Sequence, residues 1–201
     1  MKKALLPLAA LALAASASIA RAQTPFPPPE APAITGPYVG ASIAASQARR
    51  GCTGFIVGGG RTCDDRDYSW ALLAGYKLNR FLGAEAEYRD IGIIQAASPT
   101  SSREMHVTAW DIAGLAFVPL SQRFSAYLKF GAYRALLQSP QGVVADQNAN
   151  GVTYGGGLQF DFASRLGVRG QFQRYRKVDG GTDFGVNDYD TLGVVLIFRL
   201  L

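Results

Sequence analysis

Residues 71–88 read ALLAGYKLNRFLGAEAEY, and this stretch decides the fold. Apolar side chains alternate with small or charged ones on both sides of Asn79-Arg80. Alternation with a period of two is typical of a β-strand whose two faces meet different surroundings, because successive side chains point to opposite sides. The stretch therefore predicts two antiparallel strands joined by a short turn, with Glu85 and Glu87 on the polar face.

The same alternation recurs along the chain and predicts eight strands. They cover residues 37–47, 68–78, 81–92, 105–118, 123–134, 151–162, 165–175 and 189–200. The fourth predicted strand loses its phase after Ala113, which indicates a β-bulge. The last predicted strand carries Val195 and Ile197 on the otherwise polar face.

The connections between the predicted strands alternate between long and short. The long ones cover residues 48–67, 93–104, 135–150 and 176–188, and the short ones 79–80, 119–122 and 163–164. Outer-membrane barrels have short periplasmic turns and longer extracellular loops, with about ten residues in each strand. The sequence therefore predicts an all-β fold: a closed, eight-stranded, antiparallel up-and-down transmembrane β-barrel with both termini in the periplasm.

A soluble lipocalin-like barrel is the alternative, since it also has eight strands. The polar face distinguishes the two, because it mixes charges such as Lys77 and Arg169 with glycines such as Gly75 and Gly155. Glycine weakens a solvent-facing strand, whereas the narrow lumen of an eight-stranded barrel gives charges room only beside small neighbours. The other face is apolar and ends in aromatic residues, as a lipid interface requires. This pattern favours the membrane barrel.

The N-terminal segment lacks this alternation. Two lysines precede an apolar run that ends at the small-x-small site Ala20-Arg21-Ala22, which predicts a signal peptide over residues 1–22. Residues 23–35 are proline-rich and predict an extended periplasmic leader, which leaves residues 36–201 for the barrel. Removal of the signal peptide takes away three of the 20 Lys and Arg and leaves 17 against 15 Asp and Glu. This near balance gives no argument for nucleic-acid binding.

Two cysteines, Cys52 and Cys63, lie in the first long connection. Export leads to an oxidising compartment, so a disulfide is the favoured prediction. Closing so short a loop would stabilise the fold by about 3 kcal/mol in the chain-entropy description. A metal site is the alternative, but it needs further ligands, and the chain has a single histidine, His106.

Four stretches of the chain resemble the OmpA-type outer-membrane β-barrel family. They are residues 38–41, 74–85, 154–162 and 168–172, and the most specific of them is the Ala-Gly-Tyr strand that passes through Asn79 into a Gly-x-Glu strand. The resemblance implies a structural protein of the outer membrane. Some members of that family have small or gated pores, and some take part in adhesion.

Two features depart from that family. Many members carry a peptidoglycan-binding domain after the barrel, and the sequence given ends at Leu201 without one. The last strand of a member usually finishes on an aromatic residue that the assembly machinery reads, whereas this strand finishes Phe198-Arg199-Leu200-Leu201. We expect this ending to lower the efficiency of assembly slightly.

Charged residues on the polar face predict a lumenal network. Its predicted members are Lys77, Glu85, Glu87, Lys129 and Arg169. Charges inside a narrow barrel must be paired to offset their desolvation, and Glu85 and Arg169 stand at positions that resemble the lumenal ion pair of OmpA. The pair is either a gate that rearranges to admit ions or simple packing, and packing is favoured because eight-stranded interiors are normally filled.

Arginines at the predicted strand tops and in the long connections are candidates for contact with lipopolysaccharide phosphate. They are Arg49, Arg50, Arg89, Arg134, Arg174 and Arg176. Arginine suits phosphate because its planar fork donates two parallel hydrogen bonds. The alternative, equally weighted, is that loops are hydrophilic in any case.

Other motifs give no chemical site. His106 has no serine placed to complete a Ser–His–acid arrangement, and residues 64–67 lack the glycine and terminal glutamate of an EF-hand. The glycines at 58–60 lack the Lys-Ser/Thr that follows in a phosphate-binding loop. The sequence therefore predicts no catalytic residue, metal or cofactor.

We expect a non-enzymatic structural barrel whose surface loops contribute to envelope integrity and surface interaction. A small-solute or ion pore with a gated lumen is the first alternative, and a lipid A-modifying enzyme is a weaker one. The expected partners are outer-membrane lipids, lipopolysaccharide, periplasmic chaperones and the assembly machinery, with no nucleic acid, and the barrel is expected to be a monomer.

Overall fold

The computed structural model describes residues 35–49, 62–98, 101–138, 147–179 and 186–200. In these ranges the chain forms nine strands: β1 (Gly36–Ala48), β2 (Thr62–Asp64), β3 (Arg66–Lys77), β4 (Leu82–Ser98), β5 (Ser101–Pro119), β6 (Phe124–Gln138), β7 (Gln147–Asp161), β8 (Leu166–Asp179) and β9 (Val186–Arg199). Within the same ranges, no helix is long and apolar enough to cross a membrane. The predicted signal peptide (1–22), all of the leader except residue 35, and Cys52 lie outside the described residues.

All strand pairs are antiparallel, and the sheet closes on itself. Neighbouring strands follow the order β2-β4-β3-β1-β9-β8-β7-β6-β5, and an additional pairing of β4 with β5 completes the ring. The short β2 is separated from β3 by Asp65 alone and pairs with the upper part of β4. The described residues therefore form a barrel of eight long strands, which confirms the predicted fold.

The short turns owe their shape to side chains that cap the backbone. In the turn between β3 and β4, Asn79 Oδ1 accepts hydrogen bonds from the backbone N–H of Phe81 at 2.8 Å and of Leu82 at 2.9 Å. In the turn between β5 and β6, Ser121 Oγ accepts from the backbone N–H of Phe124 at 3.1 Å. Asparagine and serine fit such turns because their short side chains reach the backbone two or three residues ahead.

The strands reach further toward the long connections than the sequence predicted. The stretch 93–104, predicted as a loop, is mostly paired strand, since the β4–β5 ladder runs to Ser98 opposite Ser101. Backbone hydrogen bonds pair the two strands there although the apolar alternation has ended. Strands that extend beyond the lipid-facing band need no apolar face, so the alternation does not mark where they end. The prediction of a loop at this place is therefore wrong.

The predicted bulge after Ala113 is also wrong. β5 keeps one register with β4 and with β6 through this region, and the phase is obscured because Leu115 and Phe117 point into the lumen. Register shifts occur instead between Asp90 and Gly92 of β4 and between Tyr175 and Val178 of β8. Gly92 has a φ of 109°, a conformation that residues with a Cβ rarely adopt.

The outward face is an apolar band between two levels of aromatic side chains. The lower level includes Tyr76, Phe81, Phe160, Phe162 and Phe198, and the upper level includes Tyr68, Trp70, Tyr88 and Trp110. In the upper level, the ring of Tyr88 lies 5.7 Å from that of Trp70 and 4.7 Å from that of Trp110. Two aromatic girdles around an exposed apolar band are typical of a barrel in the outer membrane.

Candidate functional site: the barrel lumen

The inward-facing side chains form three layers. The lower layer, nearest the short turns, is apolar and aromatic and contains Tyr38, Leu73, Leu115, Phe117, Tyr127, Val195 and Ile197. The upper layer is also mainly apolar and includes Ile91, Met105, Val107, Leu137 and Val178. Between them lies a layer of buried charges and amides, which we call the charge layer: Glu85, Glu87, Arg89, Asp111, Lys129, Gln159, Arg169, Gln171 and Gln173.

The ion pair between Glu85 and Arg169 crosses the lumen from β4 to β8. Arg169 Nη1 lies 2.7 Å from Glu85 Oε2, and the Tyr38 hydroxyl donates to the same oxygen at 2.9 Å. The guanidinium also donates to Gln159 Oε1 through Nη2 at 3.1 Å and lies 4.6 Å from the centre of the Tyr127 ring. The predicted pairing of Glu85 with Arg169 is present in the structure.

Lys129 stands at the centre of the charge layer and faces three carboxylates. Its Nζ donates to Glu87 Oε2 at 2.8 Å. It also lies 3.1 Å from Glu85 Oε1 and 3.2 Å from Asp111 Oδ1, but neither oxygen has a partner with hydrogen-bond geometry. These two contacts are therefore electrostatic. The hydrogen bond to Glu87, together with a longer one to Gln173 Oε1 at 3.3 Å, fixes the ammonium group.

Arg89 belongs to the charge layer and not to the outer surface. Its Nε donates to Glu87 Oε1 at 2.6 Å, and its terminal nitrogens lie 3.3 Å from the hydroxyls of Ser69 and Ser42. Only 1% of Arg89 is exposed. The prediction that Arg89 contacts lipopolysaccharide is therefore wrong. Arg89 follows Glu87 by two residues and therefore shares its polar face. This spacing in the sequence could have identified Arg89 as a member of the charge layer.

The charge layer is electrically balanced. Three carboxylates, of Glu85, Glu87 and Asp111, face three cations, of Arg89, Lys129 and Arg169, and each of the six residues is at most 2% exposed. Burying a charge without a partner costs several kcal/mol. A neutral set with short contacts is therefore the arrangement that these buried positions require. Asp111, the third carboxylate, was not predicted as a member of the network.

Lys77 does not join this set. It lies at the end of β3 next to the short turn, paired in register with Gly83, and its Nζ sits 4.6 Å from the centre of the Phe117 ring. It is half-buried and forms no ion pair within the described part of the chain. At the same end of the barrel, Arg199 and Asp161 form an ion pair. The prediction that Lys77 belongs to the network is therefore wrong, because sharing a face does not give equal depth.

Glycines on the inward face allow neighbouring strands and side chains to pack closely, and only some of them make room for the charge layer. A Cβ added at Gly157 would lie 1.8 Å from the carbonyl oxygen of Gly170 on the neighbouring strand. At Gly75 a Cβ would lie 2.3 Å from the Tyr38 ring, whose hydroxyl reaches Glu85. Gly75 thus makes room for a member of the network, whereas Gly157 allows two strands to approach.

The remaining predicted arginines that the structure describes lie at the end of the barrel that carries the long connections. Arg174 forms a two-point pair with Asp190 at 2.5 and 2.7 Å, and Arg49 Nε lies 3.3 Å from the same carboxylate. Arg176 lies 3.8 Å from Asp188 and is half-exposed. Arg134 is exposed on the outward side of β6. Arg50 lies outside the described residues.

His106 and the acidic run show no catalytic or metal-binding geometry. His106 Nε2 lies 2.8 Å from Asp90 Oδ1, and no serine among the described residues hydrogen-bonds to this ring. Asp67 accepts hydrogen bonds from the backbone N–H of Tyr68 and Ile93, so it acts as a local cap. Across the described ranges, no group of three or more His, Cys, Asp or Glu side chains could hold a metal ion. Cys52 is not described, and only the backbone of Cys63 is, so the disulfide stays a prediction.

Known barrels share this architecture. Neisserial surface protein A is 12% identical, with a TM-score of 0.62 over 82% of this chain and 97% of that protein. AlkL, solved in lipid bilayers, is 13% identical, with a TM-score of 0.54 over 87% of this chain and 96% of that one. The N-terminal barrel of Pseudomonas aeruginosa OprF is 11% identical, with a TM-score of 0.50 over 82% of this chain and 99% of that domain.

No curated protein sequence matches the chain. The sequence profile of the outer membrane protein beta-barrel domain, in contrast, matches residues 6–198, which is nearly the whole chain. Small eight-stranded barrels of the outer membrane are also what the similar structures have in common. The chain therefore belongs to the outer membrane protein beta-barrel domain family.

Proposed function

We propose that this protein is a non-enzymatic structural barrel with a closed lumen, which contributes to envelope integrity and presents its long connections at the cell surface. The observation that carries the proposal is the balanced charge layer between two apolar layers. An ion entering from the side of the long connections meets the upper apolar layer before it reaches the charge layer. An ion entering from the other side passes Lys77 and the Arg199–Asp161 pair and then meets the lower apolar layer. The barrel then acts as a rigid support for its surface-exposed segments.

The energetic argument concerns the cost of opening. Lys129 and Arg89 both bind Glu87, so moving either cation away leaves a buried carboxylate short of a partner. Breaking one side of a buried pair typically costs about 3–5 kcal/mol. At that cost the open state is populated on the order of one part in a hundred to one part in several thousand. A barrel of this kind conducts poorly at rest.

The proposed orientation places the capped short turns and both termini in the periplasm. Short periplasmic turns and longer extracellular connections are typical of outer-membrane barrels, and the predicted signal peptide supports export in this direction. The extensions of β4 and β5 beyond the upper aromatic level then stand above the membrane surface.

A deletion strain tests the proposed function. We expect the strain to leak periplasmic enzyme and to admit a large dye, and we expect the wild-type gene to restore the barrier. A variant with shortened segments at 50–61 and 139–146 should restore the barrier but not surface attachment. A strain with an unchanged barrier and unchanged attachment would contradict the proposal.

A gated ion pore is the second candidate, and the contacts of Lys129 favour it. The ammonium group keeps its hydrogen bond to Glu87 while its contact with Glu85 lacks hydrogen-bond geometry. Glu85 could therefore change partners at lower cost than Glu87. Proteoliposomes distinguish the two functions, because a pore would make vesicles swell in a small sugar faster than empty vesicles, and a closed barrel would not.

The non-enzymatic part of the proposal has its own test. No described serine hydrogen-bonds to the His106 ring, whose partner is Asp90, and lipid deacylation by a Ser–His–acid arrangement needs one. Mass spectra of lipid A from cells with and without the gene should be identical. A missing acyl chain in the presence of the gene would contradict this part.

A further inference from the structure

We propose that the outer rim over β1 is a binding site for one phosphorylated glycolipid of the outer leaflet, the lipid A part of lipopolysaccharide. The site is a groove of about 500 Å³ on the outward face, and the strands β3, β1, β9 and β8 form it. We call it the rim groove. Its lining includes Ala45, Arg66, Tyr68, Phe172, Asp190 and Leu192.

Strand register builds the lower half of the rim groove as a row of apolar side chains. Ala45 of β1 pairs with Tyr68 on one side and with Leu192 on the other, and Leu192 pairs with Phe172. Tyr68 is 87% exposed and Leu192 is 66% exposed. Because Ala45 is small, it forms a floor between larger neighbours, and this row continues the lipid-facing band. An acyl chain fits such a depression.

The next row along the same strands is polar and positively charged. Gln47 pairs with Arg66 and with Asp190, and Asp190 pairs with Arg174. Arg49 reaches the same carboxylate at 3.3 Å. Arg66 lines the groove together with Asp67 and Asp190, and Arg49 and Arg174 contact Asp190 beside it. These three arginines and two aspartates carry a net charge of +1. The change from apolar to cationic within two residues of each strand matches a lipid that carries phosphate just above its acyl chains.

The arginines differ in how much of their donor capacity is free. Arg174 uses two nitrogens on Asp190 and has a third 3.5 Å from the Tyr154 hydroxyl. Arg49 contacts Asp190 through Nε alone, and its side chain is 54% exposed. The Arg66 guanidinium forms no ion pair with another described residue. Arg49 and Arg66 are therefore the groups that would donate to phosphate, while Asp190 holds Arg49 and Arg174 in place.

Lipid A fits the rim groove better than the other possible occupants. A second copy of this chain would place the same net positive charge against itself, and a zwitterionic phospholipid offers no net negative charge to balance it. Arginine binds phosphate by two parallel hydrogen bonds, which suits a monoester phosphate on a sugar. The proposal is independent of whether the lumen is open or closed.

Native mass spectrometry of the folded barrel, titrated with diphosphoryl lipid A, tests the proposal. The Arg66→Gln variant should bind about tenfold more weakly than the wild type, the loss of a charge-assisted contact. Its control is Arg123→Gln, an exposed arginine in the short turn between β5 and β6 at the other end of the barrel, which should change the affinity less than about twofold. Equal affinities of these two variants would overturn the proposal.

The acyl half of the site has a separate pair of variants. Ala45→Phe fills the floor of the groove and keeps every charge, so it should weaken lipid A binding as strongly as Arg66→Gln does. Ala132→Phe, on the outward face of β6, is the control and should bind normally. Full binding by Ala45→Phe would show that no chain lies in the groove.

Three further probes test whether the ligand is lipid A: lipid A without phosphates, inorganic phosphate and a phosphatidylethanolamine. Lipid A without its phosphates should bind weakly to every variant, and inorganic phosphate alone should not compete at millimolar concentration. Effective competition by inorganic phosphate, equal binding of a phosphatidylethanolamine, or a dimer in the spectra that Ala45→Phe abolishes would each overturn the assignment to lipid A.

Discussion

Removal of one partner of the Glu85–Arg169 pair tests the charge layer in the most detail. In Glu85→Ala, Arg169 keeps only Gln159 and the aromatic rings around it, because no other carboxylate of the described residues contacts its guanidinium. We expect this variant to lose about 3–5 kcal/mol of unfolding free energy, the usual cost of a stranded buried charge. In Arg169→Ala, Glu85 still has Lys129 at 3.1 Å and the Tyr38 hydroxyl, so the loss should lie nearer about 3 kcal/mol.

The assay is urea unfolding of the folded barrel in lipid bilayers, with the two single variants and the double variant in one thermodynamic cycle. The double variant should lose less than the sum of the two single losses, with a coupling energy of about 1–3 kcal/mol. Leu128→Ala is the control, since Leu128 faces lipid and is 70% exposed, and lipid replaces the contacts that it loses. A coupling energy near zero would show that Glu85 and Arg169 do not interact. Both the gate hypothesis and the packing hypothesis for this pair would then be refuted.

The remaining predictions test separate parts of the account. Lys129→Ala should destabilise the barrel by at least about 3 kcal/mol, whereas Lys77→Ala, which removes a half-buried lysine without an ion pair in the described ranges, should cost much less by the same assay. Gly157→Ala should fail to reach the heat-resistant folded form on gels, because its Cβ would meet a backbone oxygen at 1.8 Å; normal folding would contradict the close strand approach. Thiol labelling of the unreduced, denatured protein should find no free cysteine, and two labelled thiols would exclude the Cys52–Cys63 bridge. Protease added to intact cells should cut only within the long connections. A cut in the turn at 79–80 would show that the barrel has the opposite orientation.

The fold was predictable because two independent patterns agree. Period-two alternation locates the strands inside the lipid, and the alternation of short and long connections gives the order and direction of an up-and-down barrel. The upper ends of the strands were not predictable in the same way. From Gly92 to Ser98 the chain pairs with β5 through backbone hydrogen bonds, and these place little demand on side-chain type.

The candidate site was predictable in part for a related reason. The alternation of polar and apolar residues along a strand reveals which side chains face inward. Glu85, Glu87, Lys129 and Arg169 could therefore be grouped from the sequence. Phase does not reveal depth, which depends on how neighbouring strands are staggered. Lys77 shares a face with these residues but pairs with Gly83 at the short-turn end of the barrel.

Arg89 and Asp111 illustrate the other limit. Arg89 follows Glu87 by two residues and so shares its face, but its place near the predicted end of a strand suggested the outer rim. Asp111 pairs in register with Glu87 across β4 and β5. The register between two strands is set when the sheet assembles, and it decides which charged side chains of different strands come together. The alternation within one strand does not reveal it.

Single-channel recording of the purified, folded barrel in planar bilayers tests the central claim, a sealed and electrically balanced lumen, most directly. The account predicts a flat current at moderate voltage and physiological salt, because both apolar layers and the charge layer would have to rearrange before an ion could pass. Sustained, discrete openings of the wild-type protein under these conditions would contradict it.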